Sequence, residues 1–538
     1  MFLAISSIFS GTASAQSLND ATLSGRYFLR HIQFSANYLD SVTDARSITG
    51  VITFDGSGNY SFTGRQVLGQ QPASSYSVNG TYSVTPAGYV LLTNPQNSSL
   101  TIGARYGTEA VIGASLTSAP NQFTDLFIAI PAPAITGPAL TNQTLGAGFH
   151  IADFELTNAD TSQVRVAAGS AQFDGSGNIQ SFTALGRAVP VSAGATQQQA
   201  AYAGTYSVNS DGAGAIAFQV PANLSTQNAL ISGGSRTLMV SASQNIFIAS
   251  TPGAHDILLG IKNTAGGNVA FTGRLWSASL ATSGPGVVAG FSVYGNSAST
   301  LSSMAVDPAA STVIEAQAPN YNGVACFASA VGYSAATGSV LGANVLALGA
   351  TTLLLGGNGL ALEVNLGTNL ATGQAAPGQF MLGLIETMPT LSGPGVFVNP
   401  QGVVNAASNT PIGCPIAPGE FISIYGSGLA AGSAAATALP FPLSLNGVSV
   451  TINDTVAPIY SVSPGQINCI VPYALTGPTA TIVVTSNKAV SNAVTVSADT
   501  TSPGVFSVNG SGFGEGAITH ANGTLVSAAS PAQPGETV

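Results

Sequence analysis

The sequence writes the hexapeptide Phe54-Asp55-Gly56-Ser57-Gly58-Asn59 twice, and it returns letter for letter as Phe173-Asp174-Gly175-Ser176-Gly177-Asn178, 119 residues later. Its surroundings return with it. Ser61-Phe62-Thr63-Gly64-Arg65 is echoed by Ser181-Phe182-Thr183 and Gly186-Arg187. Gly80-Thr81-Tyr82-Ser83-Val84 is echoed by Gly204-Thr205-Tyr206-Ser207-Val208, and Phe127-Ile128-Ala129 by Phe247-Ile248-Ala249. A unit of about 120 residues is a complete small domain, too long for a solenoid repeat.

The hexapeptide itself reads as a turn. Asp-Gly and Gly-Asn pairs between apolar runs mark hairpins, because such turns need φ > 0, which Gly and Asn tolerate. Ile48–Phe54 leads in as a strand and Tyr60–Thr63 leads out with period-two alternation. Asp55, Ser57 and Asn59, like Asp174, Ser176 and Asn178, also sit where the first oxygen ligands of a calcium loop would. An EF-hand loop needs a bidentate Glu at its twelfth position, which here holds Gln66 or Leu185. The turn is the reading carried forward, with no metal and no cofactor assigned.

Charged residues are only 6% of the 538, against about a quarter in ordinary soluble proteins, and the net charge is −10. High apolar content and recurring aromatics argue against disorder. With 11 Lys and Arg in all, nucleic acid and anionic membrane surfaces are poor partners. The apolar start ending Ala13-Ser14-Ala15-Gln16 reads as a secretory signal peptide over 1–15 without its basic beginning. Ser339–Val364 is apolar enough to raise a membrane span. Its Gly356-Gly357-Asn358-Gly359 cluster reads instead as a turn joining two buried strands. Of three cysteines, Cys414 and Cys469 share a domain and are a candidate disulfide, leaving Cys326 as a buried thiol.

The spacing predicts an all-β chain of tandem antiparallel sandwich or barrel domains, each about 120 residues, because turn signals recur every 8–12 residues. The units fall at 20–132, 140–262 and, in degenerate form, 268–388. Phe271-Thr272-Gly273-Arg274-Leu275-Trp276 opens the third and Phe380–Ile385 closes it, with the hexapeptide lost between them. The units resemble a repeated secreted β-domain of acidobacterial proteins in these short motifs, a resemblance that implies no activity. A Pro/Gly-rich linker over 389–401 follows.

The last quarter carries longer motifs. Asn405-Ala406-Ala407-Ser408, Ile416-Ala417-Pro418-Gly419-Glu420, Ile424–Leu429, Ala457-Pro458, Val462-Ser463-Pro464-Gly465-Gln466-Ile467-Asn468, Val471-Pro472-Tyr473 and Pro503-Gly504-Val505-Phe506 follow in order. Over about 402–538 the chain resembles the C-terminal domain of Solibacter-type secreted proteins. The resemblance implies an immunoglobulin-like IPT/TIG sandwich over 402–510 and carries over no catalytic residues. Leu525–Glu536 repeats the logic of Val404–Glu420, so 511–538 reads as the start of a second such unit cut short by the end of the sequence.

No local stretch announces chemistry. The histidines His31, His150, His255 and His520 are dispersed. His150 and Asp153 sit three apart in a strand and so on opposite faces. There is no H-E-x-x-H, C-x-x-C or G-x-S-x-G, and the glycine runs at 426–428 and 510–516 lack the Lys and helix of a phosphate loop. Glu315 and Glu363 are isolated among apolar residues, and Glu420 is expected at the start of a strand. Trp276, Tyr82, Tyr202 and Tyr206 could stack on sugars, but aromatics in strands pack into cores more often. The expectation is an exported, modular, non-enzymatic surface or extracellular protein for adhesion or recognition of a glycan or protein. The alternatives are barrels holding a small apolar ligand, and a polysaccharide hydrolase or lyase whose carboxylates converge only in three dimensions.

Overall fold

A computed structural model describes residues 18–538 apart from 37–41, 117–121, 157–163, 189–197, 227–228, 264–272, 284–291, 294–299, 308–311, 318–326, 336–340, 342–343, 349–350, 367–379, 409–413 and 509–514. The signal-peptide segment and Cys326 lie outside the described residues. The chain is all-β and divides into two compact units. One holds Asn19–Asn322 and Phe327–Pro389, and the other is built chiefly on Thr390–Val538.

In the larger unit the repeats are closed barrels. The first runs in sequence order through eight strands, from Ser24–Ala36 to Gln122–Pro131, and closes by pairing the last with the first, Phe28 opposite Ile130. The second runs from Gly148–Leu156 to His255–Lys262 and closes through Asp153 opposite Leu258. Closure removes the edge strands that an open sheet would expose. The degenerate third copy also joins its ends, with Gly273–Ser283 against Phe380–Thr387 and Trp276 opposite Glu386. Its apolar stretch is strands, not a membrane helix. Thr351–Leu355 and Leu360–Asn365 pair antiparallel around a turn in which Asn358 and Gly359 take φ of 57° and 73°. No helix among the described residues is long and apolar enough to cross a membrane.

The repeated motifs turn out to build one device, a barrel plug. Asp55 Oδ1 accepts from the amides of Ser57 (2.7 Å) and Asn59 (3.0 Å), and Oδ2 accepts from Asn59 Nδ2 at 2.8 Å. Asp174 holds Ser176 and Asn178 in the same way. Gly56 and Gly58 take φ of 74° and 92°, and Gly175 and Gly177 take 76° and 114°. That turn delivers Phe54 inward, where Tyr27 and Tyr82 meet its ring edge-on at 5.4 and 5.0 Å. Phe149 and Tyr206 meet Phe173 at 5.3 and 5.0 Å. Each plug is sealed by a short 3₁₀ turn that no periodicity marks. Asp20 Oδ1 accepts from Val84 N (2.6 Å) beside the Tyr82 hydroxyl, and Asn142 Oδ1 accepts from Val208 N (2.8 Å) beside Tyr206.

The C-terminal unit is a sandwich of two five-stranded antiparallel sheets. Thr479–Ser486 alternates exposed and buried, sending Ala480, Ile482 and Val484 onto Val450, Ile452, Ile422 and Ile424. Each such aliphatic side chain contributes roughly 1.5–3 kcal/mol on burial. Glu420 does lie where the strand Phe421–Ser427 begins. Its carboxylate accepts from Ala417 N (2.6 Å) and Asn405 Nδ2 (2.7 Å), and Asn405 Oδ1 in turn accepts from the amides of Ala407 and Ser408. The same clasp recurs at the other Pro-Gly-Glu. Glu536 Oε2 accepts from Gln533 N at 2.9 Å, Gly535 has φ 84° against 78° at Gly419, and His520 Nδ1 meets Glu536 Oε1 at 2.5 Å.

The expected Cys414–Cys469 disulfide is corrected. Cys414 is disulfide-bonded, but Cys469 is a free thiol, fully buried between the sheets, where burial pushes it up to about 12. On Gln466–Ile470 the alternation that points Ile467 into the core points Cys469 there too. Sharing a domain does not bring two Cβ atoms within bonding range.

Candidate functional site

Two kinds of polar assembly emerge, one sealed inside the barrels and one on the sandwich surface. The inner ones hold the residues that a search for catalytic groups would pick out.

In the first barrel, four residues beyond the plug residue Tyr27, His31 points inward. Its Nε2 meets Asp125 Oδ2 at 2.8 Å, and Asp125 also accepts from Ser115 N (2.7 Å) and Ser115 Oγ (2.6 Å). Asn94 Nδ2 donates to Ser115 Oγ and Gln33 Oε1. Ser, His and Asp thus converge, but the serine donates to the aspartate and not to the imidazole, so this is no nucleophile–base pair.

The second barrel puts Asp153 and Glu155 at the positions of His31 and Gln33. Arg236 clamps both. Its Nη1 is 2.6 Å from Asp153 Oδ1, its Nη2 is 3.1 Å from Asp153 Oδ2, and Nη2 also bonds Glu155 Oε1. Arg165 Nη1 reaches Glu155 Oε2 at 3.1 Å and Ser232 Oγ at 2.8 Å. Asp256 accepts from Thr251 N and Oγ1, as Asp125 does from Ser115. Burial raises the Asp153 carboxyl well above its ordinary value, with the Glu155 charge beside it. Glu155 is also buried, yet Arg236 and the Ser232 donors bring it down to about 2. Both carboxylates are at most 2% exposed, so neither has access to any substrate.

The flagged tyrosines Tyr82 and Tyr202 and the histidines His150 and His255 are structural. Tyr82 donates to Leu23 O (2.6 Å), and the Tyr202 hydroxyl accepts from the amides of Leu230 and Ile231. His150 and Asp153 do lie on opposite faces, His150 meeting Ser170 Oγ at 2.9 Å. Burial pulls His150 and His255 down to about 4, so both are neutral. Glu363 is buried; Trp276 and Glu315 lie on the strands Gly273–Ser283 and Thr312–Gln317. In the Asp-Gly turns the Asn amide nitrogen points at the carboxylate, the reverse of what a shared cation would need, and no cluster of three His, Cys, Asp or Glu able to hold a metal occurs among the described residues.

The surface assembly lies on the outward side of the sandwich sheet that carries Phe421–Ser427, Ile459–Val462 and Gln466–Ile470. Inward alternation buries Ile422, Ile424, Ile467 and Cys469, which turns Phe421, Ser423, Gln466 and Asn468 outward. Phe421 meets Tyr460 at 5.6 Å between ring centroids and Phe506 at 6.4 Å, and Tyr460 meets Phe441 at 5.4 Å. Tyr460 and Phe506 are 41% and 51% exposed, too much for core residues. Beside this aromatic row runs a neutral ladder. Asn468 Oδ1 accepts from Ser423 Oγ (2.7 Å) and Gln466 Nε2 (3.0 Å), and Asn468 Nδ2 donates to Ser461 Oγ (2.9 Å). The ladder borders a shallow open depression walled by Ser433, Ala434 and Ser463.

Residues 407–502 form an IPT/TIG domain. This agrees with the immunoglobulin-like sandwich the motifs implied, and an IPT/TIG domain fits a surface or extracellular setting. A comparison with curated proteins finds no match. Among solved structures, the chain is similar at 10% identity to the isotype 1 transferrin binding protein B from serogroup B Neisseria meningitidis, over 68% of this chain and 77% of that one. The TM-score is 0.16, so the likeness has no bearing on fold or function. The aromatic row and the ladder both belong to the IPT/TIG sandwich, Phe506 joining them from just beyond it. Sequence reading quoted Gln466 and Asn468 only as parts of a motif and passed over Phe421, Phe441 and Tyr460. Period-two alternation outward from Ile422 was the signal that could have found Phe421, while no periodicity marks Phe441.

Proposed function

We propose that the chain is an exported, non-enzymatic recognition protein, in which barrels serve as frame and the IPT/TIG domain meets the partner, a glycan or another protein. The observation that carries this is the half-exposed aromatic row and amide ladder of the IPT/TIG sandwich, a type of module that commonly mediates protein interactions. Phe421, Tyr460, Gln466 and Asn468 are held on strands, and groups so fixed bind with little ordering cost. The carboxylates that converge, Asp153 with Glu155 and Glu109 with Glu386, do so in buried settings, tied to Arg236 or to backbone amides. A hydrolase needs its pair in an open cleft. The barrel plugs and ion clusters fill interior space that a small apolar ligand would need.

The test is to incubate the purified chain with intact cells and with extracellular matrix of the producing organism. Retention at the surface without release of reducing ends is the expected result. Release of sugar would make the protein an enzyme, and an exclusively intracellular location would remove the recognition reading altogether.

A further inference from the structure

We infer that the outward face of the IPT/TIG sandwich, made of Phe421, Tyr460, Phe441 and Phe506 beside Ser461, Gln466 and Asn468, with Ser423 buried beneath them, is a binding platform for an uncharged polysaccharide. The inference rests on the recognition reading above and names its ligand class. Its first support is chemical pairing. A pyranose ring has an apolar C–H face and an equatorial rim of hydroxyls, and it needs an aromatic surface next to groups that both donate and accept. Phe506, Phe421, Tyr460 and Phe441 supply the first along a row whose successive centroids are 6.4, 5.6 and 5.4 Å apart.

The ladder supplies the second. Its internal bonds use both lone pairs of Asn468 Oδ1, both N–H groups of Gln466 Nε2, and one N–H of Asn468. Left over are the second Asn468 N–H, the Gln466 Oε1 acceptor and the Ser461 hydroxyl proton. Donors and acceptors are thus both available, on side chains already fixed by their neighbours. A hydroxyl, which is donor and acceptor at once, matches such a set better than a carboxylate or an ammonium does.

Charge decides between classes of ligand. From Phe421 to Leu475 the sequence contains one charged residue, Asp454, and it sits on the tight turn of the opposite sheet. Glu420, just before this stretch, is spent on Ala417 and Asn405. An acidic polysaccharide would find no cation here, and a protein partner would lose the charged rim that ordinarily steers association. The open depression beside the ladder, and the exposed Leu439 and Leu443 near Phe441 in sequence, leave the face unenclosed, as a long chain ligand requires.

The experiment uses the full chain with particles of cellulose, chitin, β-1,3-glucan and starch, and with pectate as the acidic probe, at 0.05 and 1 M NaCl. The expected result is retention on at least one neutral polysaccharide, insensitive to salt. Loss of one stacking ring in Tyr460→Ala should weaken it about five- to tenfold, while Tyr460→Phe retains it. Asn468→Asp, which keeps the shape but removes a donor, should also weaken it. Variants are compared only where thermal unfolding matches the parent. Equal retention by Tyr460→Ala and Asn468→Asp would overturn the site. Retention on pectate alone, lost in 1 M NaCl, would overturn the ligand class. Retention on no polysaccharide, with binding to cells abolished by surface proteolysis, would overturn the inference and leave recognition of a protein standing.

Discussion

The two complete barrels share a backbone plan and a plug, yet they fill the layer beneath the plug with opposite chemistry. In the first barrel Asp125 meets a histidine and a serine, with the amides of Asn94 and Gln33 beyond the serine. In the second the equivalent Asp256 shares its interior with Asp153, Glu155, Arg165 and Arg236. Ile102 lies opposite Ser115 in the first barrel, and Arg236 occupies the matching place beside Thr251 in the second. Arg236 at that place, with Arg165 beside it, permits two further carboxylates. Without them, each would face the several kcal/mol that burying an unpaired charge costs. The barrel repeat therefore constrains shape and turn chemistry strictly and interior charge only as a set.

The sharpest way to break this comparison is Arg236→Met. It takes from Asp153 its guanidinium partner, leaves Glu155 with Arg165 and Asp256 with Arg30, and should destabilise the chain by about 3–5 kcal/mol by chemical denaturation. Should Arg236→Met cost under about 1 kcal/mol, the clamp would be dispensable.

The third copy offers a pH test, because Glu386 accepts from Glu109 N (2.5 Å) and Ala110 N (3.1 Å) of the first barrel, and Glu109 reaches Asn245 of the second at 2.9 Å. Burial raises the Glu386 carboxyl to about 8, with the Glu109 charge adding to the rise. A raised carboxyl binds its proton more tightly when folded, so stability should fall as pH rises from about 4.5 to 8 and level off above that. Glu386→Gln should flatten the slope in that window. An unchanged slope would show that Glu386 is not its source.

Smaller effects separate the first barrel from the second. Asp125→Asn keeps the volume but loses the charged acceptor shared by His31 and Ser115, and should cost about 1–3 kcal/mol. The Asp-Gly turns should matter least. Asp174 is held down to about 2, chiefly by the Asn178 side chain, then by the Asn178 and Ser176 amides. A lowered carboxyl contributes stability that is complete above its ordinary value and lost as pH falls toward about 2. Asp174→Ala should shift the melting temperature slightly at pH 6 and by less at pH 2.

Architecture was legible from Phe54–Asn59 and Gly80–Val84 because turns and plugs are local. Each needs particular residues at fixed spacing, and a repeat prints that need twice. The ion clusters were not legible, since Asp153 and Arg236 are 83 residues apart and meet only when the barrel closes. Cys469 misled for a related reason, as the alternation that hides it in the core says nothing about where Cys414 lies. The platform was half legible. The Gln466–Asn468 motif stood out, but its aromatic partners Phe421, Phe441 and Tyr460 come from three separate stretches and become neighbours only across the sheet.

The most direct test of the division between barrel frame and sandwich face is hydroxyl-radical footprinting of the full chain, free and bound to whichever neutral polysaccharide retains it. The account predicts protection concentrated at Phe421, Phe441, Tyr460 and Phe506, with the barrel aromatics unchanged. Protection spread over the barrels, with Tyr460 as reactive bound as free, would contradict it.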